Sequence, residues 1–151
     1  MLKKKENRMG LVEAINLSVS KGKTVRLKGP GRFIEGFGLE GDRHGGKEKR
    51  QVSLFGRDSI RRMEEIGAKG LCSARFNENI ITADIRLFEL PVGTRLKIGE
   101  TIQEISQVGK KCFGCEISSA EGQCPLADEV VFTAVIKGGV VKAGDPIEVQ
   151  K

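Results

Sequence analysis

The residues best suited to chemistry are cysteines in the C-terminal third of the chain. Cys112 and Cys115 form a Cys-x-x-Cys pair directly after Lys110 and Lys111, and Cys124 lies nine residues further on. A thiol reacts or binds metal as its thiolate, and nearby positive charge lowers the pKa of a cysteine from about 8.5. The lysines therefore favour the reactive form of this pair, and the flanking glycines would let a ligand approach the backbone closely.

Three interpretations of the cysteines are open. Cys112, Cys115 and Cys124 could be three ligands of a structural zinc ion completed by Cys72 or His44, although such a site usually contains a second close pair. One cysteine could instead be a reactive or metal-ligating thiol. The third interpretation makes all four small buried hydrophobic residues, which suits Cys72 better than the pair beside the lysines. Four cysteines in a chain without a secretion signal argue against a disulfide framework.

A second polar segment, residues 38–46, carries the only histidine of the chain together with a carboxylate and a guanidinium. Arg43 and the glycine backbone would suit an anion. His44 could move a proton or bind a ligand, or it could simply be solvated, and Asp42 lies two residues before it.

A third polar segment is Asn77-Glu78-Asn79, which precedes a β-branched run. The asparagines could close a turn by bonding their own backbone. Alternatively, they could contact a ligand, and the sequence alone leaves both roles open.

Short apolar runs separated by turn signals predict the elements that position these segments. Strands are predicted at residues 9–20, 24–27, 50–55, 79–82, 95–98, 101–108, 130–136 and 146–149. A helix is predicted over 58–66, with Asp58 as its N-cap, Gly67 at its end and Ile60, Met63 and Ile66 facing the core. Residues 33–46 are predicted to be a loop, and Gly138-Gly139 a turn. The pattern indicates a mainly β fold, a closed or nearly closed β-barrel with one or two short helices.

Length and charge narrow the functional class. The 151 residues fit one domain, which we predict over 10–151 after a disordered basic N-terminus at 1–9. The net charge of +6 favours anionic partners. Without Trp or Tyr to stack on bases, nucleic acid is not an expected partner. No apolar stretch approaches the ~20 residues of a membrane span, and no signal peptide is evident. We therefore expect a cytoplasmic protein without a membrane partner.

Taken together and in this order, the segments resemble the MOSC domain family, the molybdenum cofactor sulfurase C-terminal domains. The resemblance covers about residues 10–150. It rests on residues 38–46 (Gly-Leu-Glu-Gly-Asp-Arg-His-Gly-Gly), 50–54, 76–80, 90–93 with Leu96 and Ile98-Gly99, 109–117, and the C-terminal stretches 131–135, 137–139 and 141–145.

The resemblance implies a MOSC-like β-barrel that binds the molybdenum cofactor or carries a sulfane sulfur as a cysteine persulfide. The matching functional thiol is Cys115, as molybdenum ligand or sulfur carrier, because a soft centre accepts a thiolate readily. Cys112 would be a neighbour that resolves a persulfide or only packs. His44 is the third implied catalytic residue. The implied cofactor contacts are Asp42, Arg43, Lys110, Lys111 and Asn79, with the cations suited to the phosphate of the pterin. Gln51 and Glu78 would support the loop or touch the ligand.

Three departures from larger family members shape the expected function. The sequence lacks the N-terminal barrel extension of the cofactor-dependent reductases, the cysteine spacing of a [2Fe–2S] cluster, and the aminotransferase-like half of the full sulfurases. It therefore resembles the small stand-alone members, whose partners would be a molybdopterin-type cofactor and a sulfur donor or molybdoenzyme acceptor. One alternative function is a cofactor-dependent reductase of N-hydroxylated compounds with a separate electron donor. Another is a zinc-stabilised, non-enzymatic β-barrel module that binds an anionic partner.

Overall fold

Seven strands close a barrel in the computed structural model, which describes residues 9–20, 23–66, 78–110 and 128–150. The strands of the described residues are β1 (Met9–Ser20), β2 (Lys23–Arg26), β3 (Gly31–Ile34), β4 (Gly38–Leu39), β5 (Val52–Gly56), β6 (Ile80–Ala83), β7 (Arg95–Ile98), β8 (Thr101–Val108), β9 (Val131–Lys137), β10 (Gly139–Val141) and β11 (Pro146–Val149). Within the described residues, the strands are joined by helix α1 (Arg57–Ile66) and by a 3-10 turn at Leu87–Glu89.

The barrel follows the strand order β11, β7, β8, β9, β5, β6 and β1, and β1 pairs back to β11. Neighbouring strands are antiparallel except β5 and β6, which run parallel and are connected through α1. A parallel pair requires such a crossover, whereas antiparallel neighbours can be joined by short turns. The closed sheet confirms the predicted mainly β barrel.

The interior of the barrel follows from the alternation of its strands. In β7, Leu96 and Ile98 are fully buried while Arg95 and Lys97 are exposed, as expected for side chains that alternate between the two faces of a strand. The hydrophobic core includes aliphatic side chains from every barrel strand, such as Val12, Leu54, Ile80, Ile105, Val135 and Ile147.

A second, three-stranded sheet corrects two of the sequence predictions. Its order is β10, β3, β4, so residues 33–46 are not a continuous loop and Gly139 opens a strand. Phe33 is paired with Leu39 on one side and with Gly139 on the other. The side chains of Phe33 and Leu39 are buried in the core. Phe33 alternates with exposed neighbours in β3, and the five glycines of residues 33–46 obscured this short strand in the sequence.

The helix was predicted well except at its start. It begins at Arg57, so Asp58 lies in the first turn and not at the N-cap. Ile60 and Met63 are buried as predicted, whereas the side chain of Ile66 and the predicted end at Gly67 lie outside the described residues. Among the described residues, no helix is long and apolar enough to cross a membrane.

Candidate functional site

The carboxylate of Asp42 is the centre of a buried polar network at one end of the barrel. Its Oδ1 accepts the backbone N–H of Ser18 at 2.7 Å and Nδ2 of Asn79 at 2.9 Å. Its Oδ2 accepts the backbone N–H of His44 at 3.0 Å. The side chain of Asp42 has no exposed surface, so these donors replace the water that burial removes.

Asn79 links the Asp42 carboxylate to two barrel strands, β1 and β5. Its Nδ2 also donates to the carbonyl of Asn16 at 3.1 Å, and its Oδ1 accepts the backbone N–H of Ser53 at 3.1 Å. Its own backbone N–H donates to Oγ of Ser53 at 3.0 Å. The partners fix which side of the amide is nitrogen, and they use both of its ends. The structure therefore gives Asn79 a positioning contact with Asp42 from within the barrel wall.

The loop that carries Asp42 is shaped by glycines and by Phe37. Gly41 has φ +87°, a backbone conformation that glycine adopts without strain. The ring of Phe37 lies against Gly45 so closely that a Cβ there would overlap it, and the N–H of Gly46 donates to the carbonyl of Phe37 at 2.8 Å. The chain thus turns back sharply after β4, and this turn holds Asp42 inside the protein.

The same loop presents Arg43 and His44 outward. Arg43 has an exposed side chain, and its backbone N–H donates to the carbonyl of Ser18 at 2.8 Å. The side chain of His44 is 39% exposed, and its Nδ1 lies 3.1 Å from Oδ2 of Asp42. Because the ionised carboxylate only accepts, the proton of this contact belongs to Nδ1, and Nε2 is the ring nitrogen left to accept a proton.

Glu78 brings Lys110 into the same neighbourhood. The Glu78 side chain is buried, and the backbone carbonyl of Glu78 accepts a hydrogen bond from Nδ2 of Asn16 at 2.9 Å. Burial raises the pKa of the Glu78 carboxyl, and the positive charge of Lys110 acts in the opposite direction. Lys110, the last described residue before the cysteine pair, therefore exerts its field on the residue adjoining Asn79.

The register of the strands places both flanks of residues 111–127 at the end of the barrel near Asp42. One row of paired residues crosses five strands: Val108, Val131, Leu54, Ile80 and Ile15. Beyond it, the N–H of Gly109 donates to the carbonyl of Val130 at 2.7 Å. The described chain therefore stops at Lys110 and resumes at Asp128 at the end of the barrel that holds Asp42 and Asn79.

Comparison with models of known protein families identifies the family of this chain. The family model of the MOSC domain matches residues 40–148, which contain most of the barrel together with Asp42, His44 and Asn79 of the candidate site. The chain belongs to the MOSC domain family. The match confirms the resemblance seen in the sequence.

Solved structures share the MOSC fold of this chain. The YuaD protein from Bacillus subtilis is similar with a TM-score of 0.71 at 18% identity, over 93% of this chain and 95% of that one. YiiM from Geobacillus stearothermophilus has a TM-score of 0.65 at 17% identity, over 95% of this chain and 75% of that one. YiiM from Escherichia coli has a TM-score of 0.64 at 19% identity, over 93% and 70%. At these identities the likeness shows the fold alone. No match was found among curated proteins.

The MOSC structure brings together only part of the predicted site. Asp42, Arg43, His44 and Asn79 belong to one network or its rim, and Lys110 acts on the adjoining Glu78. Lys111 and the four cysteines, Cys72, Cys112, Cys115 and Cys124, lie outside the described residues, so their roles stay predictions. Within the described parts of the chain, no three His, Cys, Asp or Glu side chains are grouped to hold a metal ion.

Gln51 has a contact of its own, away from Asp42. Its side chain is buried, and its Oε1 accepts the backbone N–H of Val135 at 3.0 Å. The backbone carbonyl oxygen of Gln51 lies 2.5 Å from the position that a Cβ on Gly38 would occupy. The segment 38–46 therefore begins in close contact with the backbone of Gln51. Of the two supporting roles that the resemblance left open, this geometry favours support of the loop.

Sequence reasoning missed Asn16, Ser18, Arg26 and Ser53. Asn16 and Ser18 are buried, and their positions inside a mainly apolar strand were the available signal. Arg26 had no such signal, because it is exposed on an edge strand and its Nε contacts Oδ1 of Asn16 at 2.6 Å only in the folded chain.

Proposed function

We propose that this MOSC protein binds the molybdenum cofactor, or carries a sulfane sulfur for metal–sulfur chemistry, through the thiol of Cys115. The observation that supports the proposal is the strand register around Val108 and Val131. It brings Lys110, five residues before Cys115 in the sequence, to the barrel end where Asp42 and Asn79 hold the loop of Arg43 and His44.

The charges at this end of the barrel fit a phosphate-bearing cofactor. Arg43 is exposed and Lys110 half-buried, and within the described residues neither forms an ion pair with a carboxylate. Arginine and lysine that are not neutralised by the protein are available to an anion. A thiolate at Cys115 would match the preference of molybdenum for soft ligands.

Each residue of the site has a distinct role in this function. When bound, the cofactor supplies the redox or sulfur-accepting chemistry. Arg43 and Lys110 neutralise the phosphate, and Nε2 of His44 accepts or returns a proton. Asp42 orients the imidazole through Nδ1, and Asn79 fixes Asp42 from the barrel wall. Asp42 and Asn79 act as positioning residues because both are buried.

Cofactor retention tests the ligand role of Cys115. The purified protein is incubated with the molybdenum cofactor, passed through a desalting column, and analysed for molybdenum and pterin. Cys115→Ala is expected to lose both, whereas the matched variant Cys72→Ala keeps them. Equal retention in the wild-type protein and Cys115→Ala would remove Cys115 as the ligand.

A sulfur-loading experiment tests the carrier role. After treatment with inorganic polysulfide, peptide mass spectrometry is expected to find one added sulfur atom on the Cys115 peptide, released by dithiothreitol. An unmodified Cys115 peptide would contradict this role. Metal analysis precedes both experiments, because one zinc per chain and unfolding by a chelator would favour the zinc-stabilised binding module instead.

A further inference from the structure

The arginines of the described residues differ in how their charge is balanced. Five of them form ion pairs with carboxylates: Arg57 with Glu13, Arg61 with Asp58, Arg62 with Glu129, Arg86 with Glu89 and Arg95 with Glu104. Arg26 instead donates from Nε to the neutral Oδ1 of Asn16 at 2.6 Å, and it has no carboxylate partner in the described parts of the chain. A neutral amide holds the guanidinium in place and leaves its charge uncancelled.

Asn16 is itself fixed, so the position of Arg26 is built into the barrel. Asn16 is only 3% exposed, and its backbone N–H donates to the carbonyl of Asn79 at 2.8 Å. Its Nδ2 donates to the carbonyl of Glu78 at 2.9 Å, which turns Oδ1 towards Arg26. Asn16 and Arg26 are also directly opposite each other in the pairing of β1 with β2. An exposed arginine is thus held by a buried residue of the candidate site.

The anchor of Arg26 lies next to that of Arg43. Asn16 and Ser18 lie two positions apart on β1, so their side chains share one face and are separated by about 7 Å along the strand. The backbone carbonyl of Ser18 accepts the backbone N–H of Arg43 at 2.8 Å, and the backbone N–H of Ser18 donates to Asp42. The guanidinium of Arg26 and the backbone of Arg43, neither residue with a carboxylate partner in the described chain, are therefore anchored two residues apart on β1.

We infer that Arg26, positioned by Asn16, is an anion-binding residue of this site and contacts a phosphate group through its two Nη atoms. A guanidinium has five N–H donors, and the contact at Nε leaves the outer pair for two parallel hydrogen bonds to phosphate oxygens. Lysine could not replace Arg26, because an ammonium group cannot bind the Asn16 amide and also form two parallel hydrogen bonds to a phosphate. The inference deepens the proposed function if the phosphate is that of the cofactor, and it applies equally to another phosphorylated small molecule.

A titration with inorganic phosphate tests the inference without the cofactor. At constant ionic strength, set with sodium chloride, the backbone amide signals of Ser18, Arg43 and His44 are followed by NMR. We expect saturable shifts in the wild-type protein and at least fivefold weaker binding in Arg26→Gln. The matched control is Arg32→Gln, which removes one exposed charge from β3 and is expected to change the affinity less than twofold. Equal affinities in these two variants, or shifts that never saturate, would overturn the inference.

Two further experiments test the guanidinium geometry and the source of the phosphate separately. Arg26→Lys preserves the charge and is also expected to bind phosphate at least threefold more weakly, so full affinity in this variant would overturn the guanidinium geometry. Cofactor retention in the same variants identifies the source of the phosphate. If Cys115→Ala loses the cofactor while Arg26→Gln binds phosphate as the wild type does, the inference fails and the proposed function stands. If Cys115→Ala keeps the cofactor while Arg26→Gln loses phosphate, the proposed function fails and the inference stands for a different phosphorylated ligand.

Discussion

The side-chain amide of Asn79 donates to the carboxylate of Asp42 over 2.9 Å, although 37 residues separate the two in sequence. Asn79 precedes a barrel strand, and Asp42 lies in the loop after β4. Because the carboxylate is wholly buried, it depends on this donor and on the backbone of Ser18 and His44. The contact joins the loop to the barrel, and the orientation of Arg43 and His44 follows from it.

Replacement of Asp42 by asparagine tests the dependence of the loop on this carboxylate. Asp42→Asn would present an NH₂ group to donors that need an acceptor, so we expect the free energy of unfolding to fall by about 2–4 kcal/mol. Urea denaturation measures the change. The control Asp58→Asn alters an exposed carboxylate on α1 and is expected to stay within about 0.5 kcal/mol of the wild-type value. Similar losses in both variants would show that Asp42 is not the organising group.

Glu78 predicts a specific dependence of stability on pH. Burial raises the pKa of its carboxyl, so the folded state holds this proton more tightly than the unfolded state does. The stabilisation from Glu78 is complete below the unfolded pKa and is lost as the pH rises through the folded pKa. We expect Glu78→Gln to match the wild-type protein at acidic pH and to exceed it in free energy of unfolding at higher pH. Urea melts across pH measure this difference.

Two further variants make the pH experiment decisive. Lys110→Gln removes the charge that lowers the Glu78 pKa, so the loss of stability with rising pH should become larger and extend to higher pH. Glu65→Gln changes an exposed carboxylate of α1 and should leave the pH profile unaltered. A wild-type profile that runs parallel to that of Glu78→Gln would contradict the account of this residue.

The contact between Phe37 and Gly45 predicts a steric requirement in the site loop. A methyl group at Gly45 would overlap the Phe37 ring, so Gly45→Ala should lower the free energy of unfolding by about 1–3 kcal/mol. In a Phe37→Ala background the same substitution should cost less than about 0.5 kcal/mol, because the obstructing ring is gone. Gly29→Ala is the control, since nothing lies within 4 Å of the added atom. Equal costs of Gly45→Ala in the two backgrounds would exclude this packing.

Helix α1 is predicted to stabilise the residues that lead into β9. Arg62 Nη1 donates to Oε2 of Glu129 at 2.6 Å, and Oγ of Ser59 donates to Oε1 at 2.5 Å. A double-mutant cycle between Arg62→Ala and Glu129→Gln should give a coupling energy of about 1 kcal/mol, discounted because Arg62 is partly exposed. The exposed pair Arg61 and Asp58 should couple by less than about 0.5 kcal/mol. Equal coupling in the two cycles would mean that Glu129 does not anchor this segment to α1.

The barrel was predictable because its strands obey local rules. Residues 95–98, 101–108 and 146–149 were predicted with the bounds that the structure shows, since apolar alternation and glycine turns mark them clearly. The small sheet was not predictable, because β4 has two residues and depends on pairing with β3. Local patterns do not reveal an element whose stability comes from a distant partner.

The candidate site shows the same division. Asp42, Arg43 and His44 were selected because their residue types cluster in one loop. Asn79 was also selected, whereas Ser18 and Asn16 were not, since Ser18 contributes only a backbone N–H to Asp42 and Asn16 an amide that contacts Glu78 and Arg26 in the folded chain. Backbone donors have no signature in the residue type, so only the folded arrangement identifies them.

The central claim is that the cysteine segment and the loop of Arg43 serve one site, and the reactivity of Cys115 tests it most directly. The rate of alkylation of Cys115 by iodoacetamide is measured against pH by peptide mass spectrometry, which yields the pKa of this thiol. Removal of a nearby positive charge raises a thiol pKa. The account predicts a higher pKa of Cys115 in Arg43→Gln than in the wild-type protein, and an unchanged pKa in Arg32→Gln. The same pKa in all three proteins would contradict a shared site.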